Sequence, residues 1–397
     1  MSDTIADSRF TMTRRSILAA APFAAAAAGL APTAAAAAGL APKTAKGPAQ
    51  AANSDKFPPL PQFKFNLTNS NSRWVGPGGT ATEVNTSNFP LSKSIAGVSM
   101  RLEPGALREL HWHAVAAEWA YVIEGHVLTT VVSPDGTVQK NEFAAGDTWF
   151  FPRGYGHALQ GIGPGECHFL LGFDNGDFSE FGTFSITDWM SRTPRHILER
   201  NLQLPASAVA ALPKREVYIA PGPVPKVSEP FRDANLEPSQ KVHKYRLAAL
   251  EPRRFPGGEE RIVTEREFAI QSTLSAARMD LEPGALREMH WHPNSDEWQY
   301  YTKGRSRVGI FGAHGRYETA EFGPGDVCFI PQGFGHWVEQ IGPEPTQVLI
   351  LFNNPHYEEI SLSQWLASNP APLLETNFGL SEEVVAKLPK AALGILK

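Results

Sequence analysis

Three histidines and a glutamate occur twice in this chain in the same order and with the same gaps. The first set is His111, His113, Glu118 and His157, and the second is His290, His292, Glu297 and His336. Every member of the second set lies 179 residues after its counterpart. A fold that accepts this sequence must bring four polar side chains to one point, and must do so twice. Side chains alternate between the faces of a strand, so His111 and His113 point inward and Trp112 points away. Glu118 opens the next apolar run, Glu118-Trp119-Ala120-Tyr121-Val122-Ile123, and approaches from the neighbouring strand. His157 follows Gly146, Pro152, Gly154 and Gly156, residues that turn the chain back over the same cavity. Three imidazoles and a carboxylate suit a divalent first-row metal such as manganese or iron, with positions left open for a substrate. A lone His-x-His pair is more often ordinary structure, but recurrence of all four ligand types at fixed spacing argues for two metal sites.

The repeat extends well beyond the ligands. Leu102-Glu103-Pro104-Gly105-Ala106-Leu107-Arg108-Glu109 recurs as Leu281-Glu282-Pro283-Gly284-Ala285-Leu286-Arg287-Glu288. Downstream, Trp189 and Pro194 match Trp365 and Pro370 at a shorter offset. The chain therefore reads as a duplicated domain, with halves at 46–232 and 233–397. Short β-rich runs broken by Gly, Pro, Asn and Asp predict an all-β dominated fold, an antiparallel sandwich or barrel in each half. Helical spacing is confined to the tails, at Ile186 to Leu198, Ala206 to Leu212, Leu362 to Leu366 and Glu382 to Leu388. These tails are the candidates for domain or subunit contacts. The near balance of 36 basic and 41 acidic residues leaves no electrostatic footprint for nucleic acid, so a small molecule is the expected partner.

Residues 1–45 stand apart. Arg14-Arg15 precedes an Ala-rich run with Ala-x-Ala stretches, the pattern of a bacterial twin-arginine (Tat) export signal, which places the protein in the periplasm or the medium. A membrane anchor is the weaker reading, because alanine and proline dominate the run. The only cysteines, Cys167 and Cys328, lie in apolar runs and read as buried, unpaired thiols, with a disulfide between the halves as the alternative.

Each half resembles the cupin family. Gly105, His111, His113, Glu118 and Gly125, then Gly146, Pro152, Gly154 and His157, follow its two-motif pattern, and Gly284 through His336 repeats it. The tandem arrangement, with Arg108-Glu109-Leu110-His111-Trp112-His113 and Arg287-Glu288-Met289-His290-Trp291-His292, resembles the bicupin oxalate decarboxylases over about residue 55 to the end. That resemblance implies two jelly-roll (double-stranded β-helix) barrels and two manganese ions (Mn2+) per chain. It also implies dioxygen as a co-catalyst, oxalate cleaved to formate and carbon dioxide, and a trimeric or hexameric homo-oligomer.

Arg108 and Arg287, each three positions before a ligand, can hold a substrate carboxylate by charge-assisted hydrogen bonds. The competing reading is a structural ion pair with Glu103 or Glu282. The halves differ between Phe173 and Phe184 and between Phe352 and Ile360, where the first loop is longer. Ser179-Glu180-Phe181-Gly182-Thr183 falls where the family carries a mobile lid, typically Ser-Glu-Asn-Ser-Thr. The resemblance makes Glu180 the acid that protonates the carbon left when carbon dioxide departs. Phe181-Gly182 departs from the family's Asn-Ser, which keeps an oxalate oxidase open as the alternative. A bicupin that binds a ligand without turning it over is the remaining one.

Overall fold

The computed structural model describes residues 57–70, 72–225 and 242–397. The export signal of 1–45 and the cut between 232 and 233 lie outside the described residues. Each half folds as two antiparallel sheets face to face. In the first half one sheet runs Lys244–Tyr245, Thr148–Phe151, Glu118–Glu124, Cys167–Phe173, Ala96–Leu102, Gly79–Val84 and Ser72–Gly76. The other runs Phe184–Ser185, Leu107–Trp112, Gly156–Gly161, His126–Val132 and Val138–Ala144. The second half repeats both sheets, so the expected pair of jelly rolls is present. Between the sheets of the first barrel lie Val98, Met100, Val122, Val127, Phe143, Trp149, Phe151, Phe169 and Phe173, alternate residues of strands whose other face is covered or wet.

Two features depart from a simple tandem. The stretch before each barrel crosses to the other one. Lys64–Asn66 pairs with Asp326–Ile330 of the second barrel, and Lys244–Tyr245 pairs with Thr148–Phe151 of the first. The arms are equivalent in detail: Lys64 reaches Asp326 at 2.9 Å and Lys244 reaches Asp147 at 2.9 Å. The sheets therefore do not divide at a single point in the chain. A second apolar cluster, with Trp119, Tyr121, Phe150, Leu170, Trp298, Tyr300, Phe329 and Leu349, joins the two barrels. Gly97 is required there, because a Cβ at that position would sit 2.5 Å from the ring of Trp298. Phe63, 3% exposed, carries the arm into the second core. Phe63→Ala is expected to cost about 3–5 kcal/mol in urea denaturation, and a loss near zero would mean that the arm is dispensable.

The helical tails are present as Ile186–Arg192, Arg195–Leu202 and Ala206–Ala211, and as Leu362–Ala367, Ala371–Phe378 and Glu382–Ala386. The run from Ile186 to Leu198 is two helices, because Thr193 precedes Pro194 and is extended at φ −79°, ψ 133°. Ala371–Phe378, closed by Gly379 at φ +66°, was not expected from periodicity. Cys167 and Cys328 are buried, unpaired thiols in different cores, and burial pushes Cys167 up to about 12. Among the described residues no helix is long and apolar enough to cross a membrane.

Candidate metal centres

The eight ligand candidates form two clusters, and in each the donor atoms of three histidines and one glutamate lie within 4.8 Å of one another. All eight are buried. His111 and His157 face each other across a strand pair, and their counterparts His290 and His336 do the same. Glu118 comes from the opposing sheet rather than from a neighbouring strand, since the chain changes sheets between Trp112 and Glu118. The donors thus converge from both walls at one end of the barrel.

Hydrogen bonds at the far side of each ring fix its orientation. Nδ1 of His111 donates to the Glu109 carbonyl at 2.5 Å, and Nδ1 of His157 to that of Tyr155 at 2.9 Å. His290, His292 and His336 use the carbonyls of Glu288, Glu358 and Phe334 at 2.7, 2.7 and 3.0 Å. A neutral ring with its proton on Nδ1 turns the Nε2 lone pair into the cavity. There it meets carboxylate oxygens: Glu118 Oε2 lies 3.3 Å from His157 Nε2, and Glu297 Oε2 lies 3.0 Å from His336 Nε2. The Nε2 atoms of His157 and His336 are buried with no hydrogen-bond partner. Lone pairs facing lone pairs call for a cation between them, so the residues fit a metal at both centres. Burial pushes the His111 and His290 imidazoles well below their ordinary range, helped by Arg108 and Arg287, which keeps them in the ligating form. Burial alone would raise Glu118, but the surrounding histidines hold it well below the usual carboxylate range. Loading the metal-free protein with a divalent first-row metal is expected to raise its thermal midpoint by about 5–10 °C. An unchanged midpoint would remove the metal reading.

Beside the first cluster Arg108, fully buried, donates to Glu180 Oε2 at 2.8 Å, so its partner is the loop glutamate and not Glu103. The Tyr218 hydroxyl donates to the same oxygen at 3.1 Å. Thr183 links the loop to the cluster, its Oγ1 lying 3.4 Å from His113 Nδ1 and 3.5 Å from Glu180 Oε2. Glu83 receives the Ser179 hydroxyl at 2.9 Å and the Glu180 N–H at 2.8 Å. Burial raises the pKa of Glu83. Tyr218 holds φ +62° where its counterpart in the repeat is Gly394 at φ +67°. A tyrosine in a conformation suited to glycine costs free energy, and here the return is a hydroxyl aimed at Glu180.

The second cluster carries a similar pair that the loop comparison missed. Glu359 stands 179 residues after Glu180 and pairs with Arg287, and Tyr357 donates to it. The surroundings differ. Cross-strand partners Trp74 and Ala81 in the first barrel are Arg253 and Glu260 in the second, an ion pair at 3.2 Å. Against the cost of burial, Glu359 and then Glu260 raise Arg287, as Glu180 and then Glu109 raise Arg108. Tyr218, Glu83 and Glu260 were invisible as site residues in the sequence, although an aligned repeat flags Tyr218 against Gly394 and Glu260 against Ala81.

The cupin family profile matches residues 65–210 and 248–386. The chain is 38% identical over 339 residues to the oxalate decarboxylase of Bacillus subtilis, covering 84% of this chain and 86% of that one. It is 31% identical to a probable oxalate decarboxylase of Arthroderma benhamiae, with 83% and 82% covered. The chain belongs to the bicupin oxalate decarboxylase family. Among solved members, the Bacillus subtilis enzyme superposes with a TM-score of 0.80 at 37% identity, covering 87% of this chain and 92% of that one. Another structure of that enzyme, at TM-score 0.80 and 36% identity over 87% and 93% of the two chains, addresses its Mn(II) centres. A third structure, at TM-score 0.80 and 37% identity over 86% and 90% of the two chains, is of a variant of the same Bacillus subtilis enzyme whose Ser-Glu-Asn-Ser segment is replaced by Asp-Ser-Ser-Asn.

Proposed function

We propose that this protein is a manganese-dependent, dioxygen-requiring oxalate decarboxylase whose first centre carries the reaction. The observation that carries the reading is Glu180, buried on Arg108 at the edge of the first cluster. His111, His113, Glu118 and His157 would hold one ion, and His290, His292, Glu297 and His336 the other. Manganese supplies an electrophile for a substrate carboxylate and the electron exchange that dioxygen chemistry needs. Oxalate dianion and one proton give one formate and one carbon dioxide, with no net oxidation. Arg108, once Glu180 swings away, offers its guanidinium fork to one end of the dianion. Glu180 returns and hands the one proton that this balance requires to the carbon that becomes the C–H of formate. With the loop docked the cavity is shielded from water.

Charge supports the choice of centre. Arg108 loses its main carboxylate when one loop moves, whereas Arg287 keeps Glu260, which sits on a sheet strand. The Arg108 guanidinium is then free of the carboxylate it hydrogen-bonds and open to a dianion. Anaerobic calorimetric titration of manganese-loaded protein is expected to give one oxalate per chain, and oxalate consumption to stop without dioxygen. Turnover without dioxygen would overturn the co-catalyst part, and absence of oxalate binding the whole reading. Phe181-Gly182 in the loop is the observation favouring an oxidase instead, in which oxalate, dioxygen and two protons give two carbon dioxide and hydrogen peroxide.

We infer also that residues 1–45 direct twin-arginine export of the folded protein, with the halves dividing at 232/233. Sequencing the N-terminus of protein recovered outside the cytoplasm tests the first; an intact residue 1 there would contradict it. We infer a homo-oligomer, which exposed Trp189 and Trp365 on the tails support as a subunit contact, with trimer or hexamer taken from the family resemblance alone. A monomer in light scattering would exclude it.

A further inference from the structure

The residue that sets this loop apart from its family makes a contact of its own. Phe181 is 70% exposed, yet its ring lies 4.1 Å from the guanidinium of Arg73. The same guanidinium lies 4.5 Å from the ring of Tyr218, and Arg108 lies 4.0 Å from that ring too. Arg73 is thus layered between a loop aromatic and the tyrosine whose hydroxyl holds Glu180. Its position is fixed from outside by Glu216, which accepts from Nη2 at 3.1 Å. Trp74 packs on the Tyr218 ring at 5.4 Å. At the corresponding positions of the second half stand Pro252 for Arg73, Ile262 for Glu83 and Gly394 for Tyr218, so nothing of the arrangement is repeated there.

We propose that Arg73 is a positioning residue that latches the loop shut through Phe181 and so keeps Glu180 docked on Arg108 for long enough to protonate carbon rather than let oxidation proceed. The proposal rests on the decarboxylase reading for its second half only. A docked carboxyl gives its proton to carbon and formate leaves. With the loop open, the electrons of that same carbon go to dioxygen, and two carbon dioxide and hydrogen peroxide leave after uptake of two protons. Hydrogen bonds to Glu83 hold the stem of the loop, at Ser179 and Glu180. The stack on Arg73 holds its tip, where Phe181 has replaced a polar residue and a hydrogen bond of the usual kind is no longer available.

The closed conformation has a reporter that needs no turnover. In the docked loop the Glu180 N–H donates to Glu83, and the Thr183 N–H donates to the Glu180 carbonyl at 3.3 Å. A cation stacked on an exposed ring shifts such an equilibrium by about two- to fivefold. Hydrogen exchange on the metal-loaded full chain is therefore expected to speed up by about two- to fivefold at Glu180 and Thr183 in Arg73→Ala and in Phe181→Ala. Exchange in Leu107–Trp112 should stay unchanged. Arg73→Lys keeps the cation and Phe181→Tyr keeps the ring, so both should restore most of the protection. The peroxide formed per oxalate consumed should rise by a similar factor in the two alanine variants. Unchanged exchange in both alanine variants overturns the latch. Faster exchange with unchanged product partition overturns its role in choosing the product. Faster exchange in a protein that makes neither formate nor peroxide from oxalate leaves the latch standing and removes the decarboxylase reading instead.

Discussion

Glu180→Gln is expected to lower formate production from oxalate by about 10²–10⁴-fold while both metals stay bound. The glutamine oxygen can still accept from Arg108 and from the Tyr218 hydroxyl, which reach a single carboxylate oxygen at 2.8 and 3.1 Å. The loop should therefore dock as before. What is lost is a titratable proton at the one position on the loop that is buried against the first centre. Elemental analysis alongside formate quantification separates this outcome from loss of the site. Formate production at the wild-type rate would mean that the proton comes from elsewhere, and Glu359 at the second centre would be the group to test next.

Arg108→Ala should be nearly as damaging by a different route. Its guanidinium is fully buried and is the cation that compensates Glu180, itself 1% exposed. Removing it strands a buried carboxylate, a penalty of about 3–5 kcal/mol that falls on the docked loop. The same change removes the fork that would hold a substrate carboxylate, so kcat/KM for oxalate is expected to fall by about 10²–10⁴-fold with KM rising. Arg108→Lys keeps the charge without the planar pair of donors and should recover only part of the loss. Steady-state kinetics on the three proteins decide the matter, and an unchanged KM in Arg108→Ala would detach this arginine from substrate binding. The corresponding change at Arg287, which pairs with Glu359 at the second centre, should leave oxalate turnover far less affected if the first centre carries the reaction.

The ligands were the most legible part of the sequence, because metal binding demands particular side chains and the duplication printed the demand twice. Strand alternation was enough to put His111 and His113 on one face with Trp112 on the other. The loop carrying Glu180 was found through its likeness to a family, and its partner was not: a choice between Glu103 and Glu180 for Arg108 depends on how far a loop folds back. The arms that cross between barrels were hidden for a related reason. Phe63-Lys64-Phe65 and His243-Lys244-Tyr245 look like ordinary short strands, and period-2 patterning says nothing about which sheet edge a strand joins. Tyr218 and Glu260 act through positions that become meaningful only once the two halves are superposed and one carries glycine or alanine where the other carries a functional group.

The most direct test of the account is product analysis on purified, manganese-loaded protein given oxalate at mildly acidic pH in air, with formate and hydrogen peroxide quantified from the same reaction. A decarboxylase with Glu180 docked on Arg108 yields close to one formate per oxalate and only traces of peroxide. Peroxide without formate would contradict the assignment of Glu180 as a proton donor to carbon and make the protein an oxidase, and the absence of both products would contradict oxalate as its substrate.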